Sequence, residues 1–579
     1  MLIRKENIFG YKNYGKYNLD LKVKLQQILK MKYCFLIIKP KYFLLIFSIV
    51  FFQACSSSTK VDLIIYNATI YKTDSLFSIA QSMAIKEDKI VAVGTNDEIQ
   101  TKFKSKEIIN AEGKYIFPGF IDAHCHFTGF ATDMWKCDLT GLKSMDEVIE
   151  IIEKYSAKTK TEWIYGRGWD QNDWQIKEFP DKRKLDSLFP NRPVFLKRID
   201  GHAALVNQAG LNLAKININT IIPGGSVERK DGKLTGLLLD NAMDVVDKII
   251  PQLNDSLSLE YFEEAQRLCL AVGLTGVHDC GITEKTLSLL KDFENSGKLK
   301  IKVFALLSDS SNYYDDWIKK GIYLSDHIKM GGFKIYSDGA LGSRGACLLE
   351  DYSDKPHWRG FLLSDKKHFK EIAHKLINSP FQMCTHAIGD SANREILKIY
   401  SEVLKNRNDR RWRIEHAQVI SKNDFHYFKD FAIIPSVQPT HATSDMYWAE
   451  SRLGPDRIKF AYAYQTLLKT NGWLPLGTDF PVEDISPFKT FYAAVVRKDS
   501  SGFPPEGFEI QEKLTREQAL RGMTIWAAKA AFQENEKGSL EIGKAADFII
   551  IDKNIMTCNE NEILKTKVFA TYINGKKVY

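Results

Sequence analysis

Hydrophobic positions divide the chain into short strands near both ends and alternating strands and helices in the middle. Residues 61–93 contain VDLIIYNATIY and SMAIKEDKIVAVG, two β patterns separated by turn residues, and the final VFATYINGKKVY has the pattern of a hairpin. From about 117 to 529, apolar strands alternate with helical stretches, as a barrel of βα units requires. We therefore predict that 61–117 and 530–579 fold together into one small sheet domain.

The strands of the middle region share one form, an apolar run that ends in a polar or ionisable residue before a Gly-rich or polar loop. The examples are YIFPGFIDAHCH, GGFKIYSDG, FQMCTHAIGD, RWRIEHAQ, AIIPSVQPTHATSD and WLPLGTDFP. In a (β/α)8 barrel the C-terminal strand ends all face one mouth, so these polar groups would converge although they are distant in sequence. We place the barrel at 118–529, with an insertion at about 160–270, a stretch too long for one βα unit.

The formal net charge of +8 comes from the start of the chain. The first 54 residues hold ten Lys or Arg and two Asp or Glu, and the remainder is balanced. Because nucleic-acid binding needs a basic face on the folded part, we expect no nucleic-acid partner. Beyond this leader and Cys55, seven cysteines without a close CxxC pair indicate neither a disulfide scaffold nor a zinc ribbon.

Residues 1–54 are predicted to be the signal peptide of a lipoprotein. Three lysines precede an apolar run at 42–52, which has the length of a signal-peptide core and is too short to span a bilayer. The run leads into Phe-Gln-Ala-Cys and three serines, which resembles a bacterial lipobox with Cys55 as the lipidated residue. The alternative interpretation is a single-pass membrane anchor at 33–54. Because residues 1–30 are long for the start of a signal peptide, the true start is open between Met1 and Met31. An acyl chain on Cys55 would anchor an exported protein to a bacterial membrane, on the periplasmic face or the cell surface.

His124 and His126 lie two residues apart at the end of a predicted strand. Period two puts both imidazoles on one face of the strand, a geometry suited to chelating a metal. Cys125 lies between them and points to the other face, so we do not assign it as a ligand. An isolated HxH often arises by chance or in core packing. Here it directly follows PGFIDA, and this context favours a metal site.

Together these motifs resemble the amidohydrolase superfamily, in the branch of N-substituted formamide deformylase-like (YtcJ-like) enzymes. The resemblance covers about Val61 to Tyr579 and is carried, in this order, by PGFIDAHCH, GRGWDQNDW, RIDGHAALVN, GGFKIYSDGALGSRGA, THAIGD, RIEHAQ, SVQPTHATSD and LGTDFPV. It implies an α/β fold, a TIM-like metal-dependent hydrolase barrel, together with a small β-sandwich formed by both chain ends.

The resemblance also implies one or two divalent metal ions at the barrel mouth. Zinc is the ion we expect, although such ligands also accommodate Fe, Mn or Ni. The implied ligands are His124, His126, Lys334, His386, His416 and Asp479. A carboxylated Lys334 would bridge two metals, whereas Lys334 in an ordinary ion pair would leave a mononuclear site. Asp479 would also be the general base, passing a proton from the metal-activated water to the departing nitrogen.

Six further residues match positions near the substrate in this family. They are Trp169, Asp170, His202, Asp338, Arg344 and His441. For each, contact with the substrate and support of the metal ligands remain equally open. Trp163, Trp169 and Trp174 supply aromatic surface for a hydrophobic or aromatic substituent, or else pack in a core.

We therefore expect hydrolysis of a small molecule at a C–N bond other than a peptide bond, in an amide or a formamide-like group. One alternative keeps the metal and changes the bond to an ester, a lactone or a C–Cl link, because a fold and its ligands do not determine the leaving group. The other alternative is a catalytically inactive binding lipoprotein of the same fold, against which the intact set of six ligands argues. The residues leave the exact substrate and the oligomeric state open.

Overall fold

A barrel of parallel strands occupies the centre of the structure, a computed structural model that describes residues 58–579. The predicted signal peptide and Cys55 lie outside the described residues. Within 58–579, seven parallel strands follow one another in chain order: β1 (Phe120–Cys125), β2 (Leu274–Ile282), β3 (Lys302–Ser308), β4 (Ile328–Tyr336), β5 (Gln382–Ala387), β6 (Arg413–His416) and β7 (Ile434–Ser436). Each strand pairs in parallel with the next.

The segment 474–477 acts as the eighth strand and closes the barrel. Leu476 forms a parallel bridge with Val437, just after β7. On its other side the Leu476 carbonyl accepts a hydrogen bond from the Ala123 amide of β1, 3.1 Å away. The last strand position is therefore joined to the first, and the residues that follow it, 478 and 479, lie beside the end of β1.

Helices surround the barrel and cover the outer face of its strands, so the strands are buried on both faces, as in parallel sheets generally. In β4, seven of the nine residues of IKMGGFKIY are buried. The helices that follow β1 to β6 are Phe127–Asp133, Asp255–Ala271, Glu284–Asn295, Ser311–Lys320, Lys366–Ile377, Asp390–Leu404 and His426–Asp430. Those after β7 are Pro439–Asp445, Ala449–Arg457, Tyr464–Asn471, Pro487–Val496, Arg516–Gly522 and Ile525–Ala530.

Two further sheets lie outside the barrel, and the first of them joins the two ends of the described chain. One has the strand order Lys576–Lys577, Val568–Ile573, Phe548–Ile551, Tyr115–Pro118, Thr69–Tyr71, Ile79–Ala80, and the other has Lys89–Gly94, Ser82–Lys86, Leu63–Tyr66, Glu107–Asn110. The third and fourth strands of the first sheet pair antiparallel, although they come from opposite ends of the sequence. Ile70, Met83, Ile116 and Phe548 belong to one buried cluster, so the two sheets share a core.

An insertion after β1 forms its own six-stranded sheet. Its strand order is Cys137–Asp138, Ile164–Trp169, Val194–Arg198, Ala203–Val206, Lys233–Asp240, Gly225–Lys230, and its helices are Met145–Lys158, Arg183–Leu188, Gln208–Leu213 and Asn241–Asp247. The sheet begins before the predicted start at about 160, because Cys137–Asp138 adds a short parallel edge strand. The helix Asp255–Ala271, at the end of the predicted insertion, packs instead against β2 and the first barrel helix.

The fold predicted from the sequence, an α/β barrel with a sheet domain built from both chain ends, is confirmed. Among the helices of residues 58–579, none combines the length and the apolar character needed to cross a membrane.

Candidate metal centre

The six residues predicted as metal ligands lie together at the C-terminal ends of the barrel strands. His124 is the second-to-last residue of β1, and His126 directly follows that strand. Lys334 lies in β4, His386 in β5 and His416 in β6, and Asp479 follows the closing segment. The rings of His124 and His416 have centroids 4.8 Å apart, and those of His386 and His416 are 4.5 Å apart. Lys334 Nζ is 3.3 Å from His124 Nε2, and Asp479 Oδ1 is 3.3 Å from His126 Nε2. One small region of the barrel mouth therefore contains all six.

Two of these residues have left-handed backbone conformations, which L side chains seldom adopt. His416 has φ 70° and Asp479 has φ 66°. In a regular strand, Glu415 and His416 would point to opposite faces. The left-handed turn at His416 redirects its imidazole, so that both side chains reach His124. Strain of this kind persists where the surrounding structure holds it and is concentrated at functional sites.

Asp122 and Gly477 hold β1 against the closing segment. The Asp122 carboxylate accepts hydrogen bonds from Thr478 Oγ1, at 2.7 Å, and from the Thr478 and His124 amides, both at 3.1 Å. A Cβ atom on Gly477 would lie 2.5 Å from His124 N, closer than real Cβ contacts. The absence of a side chain at this position lets Asp479 approach the two histidines of β1.

Glu415 supports His124, a role that the sequence reasoning missed. His124 Nδ1 donates to Glu415 Oε2 at 2.5 Å, and Arg413 Nη2 donates to the same oxygen at 3.0 Å. All three side chains are buried. Burial opposes ionisation of Glu415, but Arg413, His124 and Lys334 outweigh it and hold its pKa well below the usual range. The carboxylate fixes the tautomer of His124 and leaves Nε2 free for a metal, as outer-shell carboxylates do at metal sites.

The donor atoms fit a divalent metal ion. His386 Nε2, His416 Nδ1 and Asp479 Oδ1 are buried and have no hydrogen-bond partner among residues 58–579, although buried polar atoms are normally paired. Burial lowers the pKa of His386 and His416 well below the usual value, and burial together with Lys334 lowers that of His124 to about 4. These imidazoles are therefore neutral at neutral pH, which metal ligation requires.

A cavity of about 190 Å³ opens onto this centre. Of the residues predicted near the substrate, Asp170, His202 and His441 line the cavity. His441 Nε2 is 3.2 Å from Asp479 Oδ2 and its Nδ1 is 3.0 Å from Glu483 Oε1, so both nitrogens face carboxylates. Burial opposes protonation of His441, but the two carboxylates raise its pKa well above the usual value. His441 is an imidazolium that links Asp479 to Glu483.

The other three predicted substrate residues are held by protein contacts. Trp169 is 1% exposed, and its indole N–H donates to the Leu196 carbonyl at 2.7 Å. Arg344 pairs with Asp354 at 2.8 Å. Asp338 accepts three backbone hydrogen bonds, from the amides of residues 388 (3.0 Å), 389 (2.8 Å) and 347 (2.8 Å). These three side chains therefore have protein partners in the insertion core and in the loops after β4 and β5, and none of them lines the cavity. Trp163 and Trp174 are likewise buried in clusters of the insertion.

The cavity wall also contains residues that the sequence reasoning did not single out. Arg198, from the insertion, is paired with Asp170 and with Asp200, and all three line the cavity. Trp448 and Glu483 line it as well. Arg198 lies within the motif RIDGHAALVN, but the pattern does not show that a residue of the insertion sheet reaches the barrel mouth.

The model of the amidohydrolase family matches residues 107–579, most of the chain. The chain belongs to the amidohydrolase family. This confirms the resemblance inferred from the motifs, and the protein is accordingly a metal-dependent hydrolase that acts on a small molecule.

Three similar proteins illustrate the relationship. Protein LONG AFTER FAR-RED 3 of Arabidopsis thaliana is 35% identical over 90% of this chain and 91% of its own length. The putative amidohydrolase YtcJ of Bacillus subtilis is 31% identical, over 86% and 96%. The N-substituted formamide deformylase of Arthrobacter pascens is 29% identical, over 89% and 97%. The chain therefore covers nearly the full length of each of these relatives.

A solved structure agrees with the architecture. An uncharacterized metal-dependent hydrolase of Pyrococcus horikoshii OT3 superposes with a TM-score of 0.70 at 28% identity, over 86% of this chain and 99% of that one.

Proposed function

We propose that this amidohydrolase hydrolyses a C–N bond other than a peptide bond, in an amide or a formamide-like group of a small molecule. The observation that carries the proposal is the convergence of His126, Lys334, His386, His416 and Asp479 around one cavity, with His124 buried beside it. Some of their nitrogen and oxygen donors are buried without a hydrogen-bond partner among residues 58–579. The similarity to an N-substituted formamide deformylase over most of both chains supports the choice of bond.

The proposed ligands divide into two groups around Lys334. His124, His126 and Asp479 would hold one divalent ion and His386 and His416 a second, with a carboxylated Lys334 between them. Zinc suits this mixture of imidazole and oxygen donors. Ions bound there would lower the pKa of a water and polarise the substrate carbonyl.

The proton is handled by the chain itself. Asp479 Oδ1 faces His124 and His126, whereas Oδ2 is held by the His441 imidazolium. Burial opposes ionisation of Asp479, but its contacts with His126 and His441 hold its pKa well below the usual range. Asp479 is therefore ionised and oriented, ready to accept a proton from the attacking water and transfer it to the departing nitrogen.

The insertion supplies the groups that would orient the substrate. His202 lines the cavity, and its Nδ1 donates to buried Asp240 at 2.6 Å. Burial opposes protonation of His202, but Asp240, Asp200 and Asp338 raise its pKa. In its protonated form, His202 would offer its Nε2–H as a donor to a carbonyl or carboxylate of the substrate. Arg198, fixed by Asp170 and Asp200, presents a second cationic edge.

The test is a substrate panel on metal-loaded enzyme, with N-substituted formamides, N-acyl amino acids, esters and lactones in parallel. We expect turnover of an amide or formamide, its loss in Asp479→Asn, and its retention in Asp424→Asn, which removes a carboxylate paired with Arg394 outside the cavity. Exclusive turnover of esters or lactones would overturn the choice of bond. A metal-loaded wild type as inactive as Asp479→Asn across the panel would favour the binding lipoprotein.

We also propose that the enzyme is exported and anchored to a bacterial membrane by a lipid on Cys55. The support is the apolar run at 42–52 followed by the lipobox-like sequence. When expressed in a bacterial host, the wild type should incorporate labelled palmitate covalently, whereas Cys55→Ser should not. The Cys55→Ser variant should also be absent from the detergent-soluble membrane fraction that contains the wild type. A Cys34→Ser control should behave as the wild type. Equal labelling of all three proteins would refute the anchor.

A further inference from the structure

A second cavity, of about 590 Å³, lies at the opposite end of the barrel from the candidate metal centre. Its lining includes Lys302 at the start of β3 and Lys329 at the start of β4, together with residues of 533–545 and of the C-terminal hairpin. Strand starts face away from the mouth that holds the metal ligands. The two cavities are therefore separate sites.

The second cavity is strongly basic. Seven of its lining residues are lysines and three are acidic, namely Asp88, Asp326 and Glu536, so its walls carry a clear excess of positive charge. Four of the lysines already have protein partners, among them Lys300, which donates to the Gly297 carbonyl at 2.5 Å, and Lys89, which lies 3.8 Å from the Asp88 carboxylate. Lys302 donates to Asp547 at 2.7 Å and Asn574 at 2.8 Å, and Lys329 donates to the Ala531 carbonyl at 3.0 Å.

Lys537 is the one lysine of this described wall that is buried. It is only 5% exposed, and burial and nearby charges act on its ammonium without a hydrogen-bond partner among the described residues. Burial, with Lys302 and Lys329 nearby, lowers the pKa of Lys537 to about 7, although Asp547 and Glu536 oppose this. A buried amine without a partner costs free energy, and an anion in the cavity would supply the missing partner.

We propose that this cavity is a binding site for a small phosphate-bearing anion, with Lys537 as the buried contact and Lys302 and Lys329 beside it. Lysine is a common phosphate ligand because its ammonium acts as a compact point charge with three donors. The volume accommodates a phosphorylated metabolite rather than a single halide. A membrane surface fits less well, because a flat bilayer does not reach an amine buried within the wall.

The proposal predicts phosphate binding that depends on Lys537. Isothermal titration of the metal-loaded enzyme with inorganic phosphate, at constant ionic strength in chloride, would compare the wild type with Lys537→Met. We expect the dissociation constant to rise by about 30-fold or more in the variant, since a buried charged contact is lost. Lys298→Met is the matched control, because Lys298 is exposed, pairs with Glu263 and lies outside the cavity; it should bind as the wild type does.

A second measurement separates this site from the metals, which also attract phosphate. Crystals of the metal-loaded enzyme soaked in selenate should show an anomalous selenium peak against Lys537. A peak only at the barrel mouth would overturn the proposal, as would equal phosphate affinity in Lys537→Met and wild type or no binding by the wild type. The crystal result does not depend on how well the variant folds.

Discussion

Replacing Glu415 by glutamine tests whether the buried carboxylate behind His124 sets the metal affinity of the site. Glu415 Oε2 accepts from His124 Nδ1 at 2.5 Å and from Arg413 Nη2 at 3.0 Å, and all three side chains are inaccessible to water. A glutamine side chain keeps the shape but loses the charge. Its one amide oxygen can accept from His124 Nδ1, but its NH2 group can accept from neither His124 nor Arg413, so the tautomer that leaves His124 Nε2 free is held less firmly.

Two magnitudes follow from these contacts. Loss of a carboxylate behind a metal-binding histidine lowers metal affinity by about 10- to 100-fold, or about 1.4–2.7 kcal/mol. Leaving the Arg413 guanidinium buried without its counter-charge destabilises the fold by about 3–5 kcal/mol. We therefore expect Glu415→Gln to bind zinc more weakly than the wild type and to have a lower free energy of unfolding.

The assay is zinc titration of chelator-treated protein against a competing indicator, with the melting temperature and kcat/KM measured on the same samples. Glu512→Gln is the matched control, because Glu512 is buried and accepts hydrogen bonds from the Thr466 amide and hydroxyl, at 2.9 Å and 2.8 Å. The control should lose stability but keep wild-type zinc affinity. Wild-type zinc affinity in Glu415→Gln, or an equal loss in the control, would refute the reasoning.

Three further predictions concern the proton route, the close approach of the strands and the second cavity. His441→Asn should lower kcat by about 100-fold at unchanged metal content, because Asp479 loses the imidazolium that orients it; a wild-type kcat would contradict this. Gly477→Ala should destabilise the protein by about 1–3 kcal/mol, visible as a lower melting temperature, because the new Cβ meets the His124 backbone; an unchanged melting temperature would exclude that contact. Lys537 has a folded-state pKa of about 7, below the unfolded value, so stability should rise as Lys537 loses its proton between pH 7 and 10. In phosphate-free buffer, Lys537→Met should therefore melt above the wild type at pH 7, and the gap should close as the pH rises; a gap independent of pH would contradict the buried amine.

The sequence by itself determined six of the eight strand positions of the barrel and which polar strand ends meet at its mouth. An apolar run that ends in a polar residue identifies both a buried parallel strand and the group at its C-terminal end, and the barrel topology brings those ends together. His124, Lys334, His386 and Asp479 lie in these strand-end motifs. The family resemblance added the assignment of these groups as ligands.

Only the tertiary structure showed which residues contact the predicted ligands and which line the cavity. Strand alternation would turn Glu415 away from His416, but the left-handed conformation of His416 brings both to His124. Trp169 and Asp338 belong to motifs near the site, yet an indole bond to Leu196 and three backbone amides occupy them.

The same limit applies to the second cavity. Lys537 lies in a local sequence that shows nothing unusual, and its isolation results from strand starts and a hairpin that are distant in the chain. Local pattern encodes the direction of a side chain along its own element. The partners that it meets, or lacks, depend on how the barrel closes and how the chain ends pack against it.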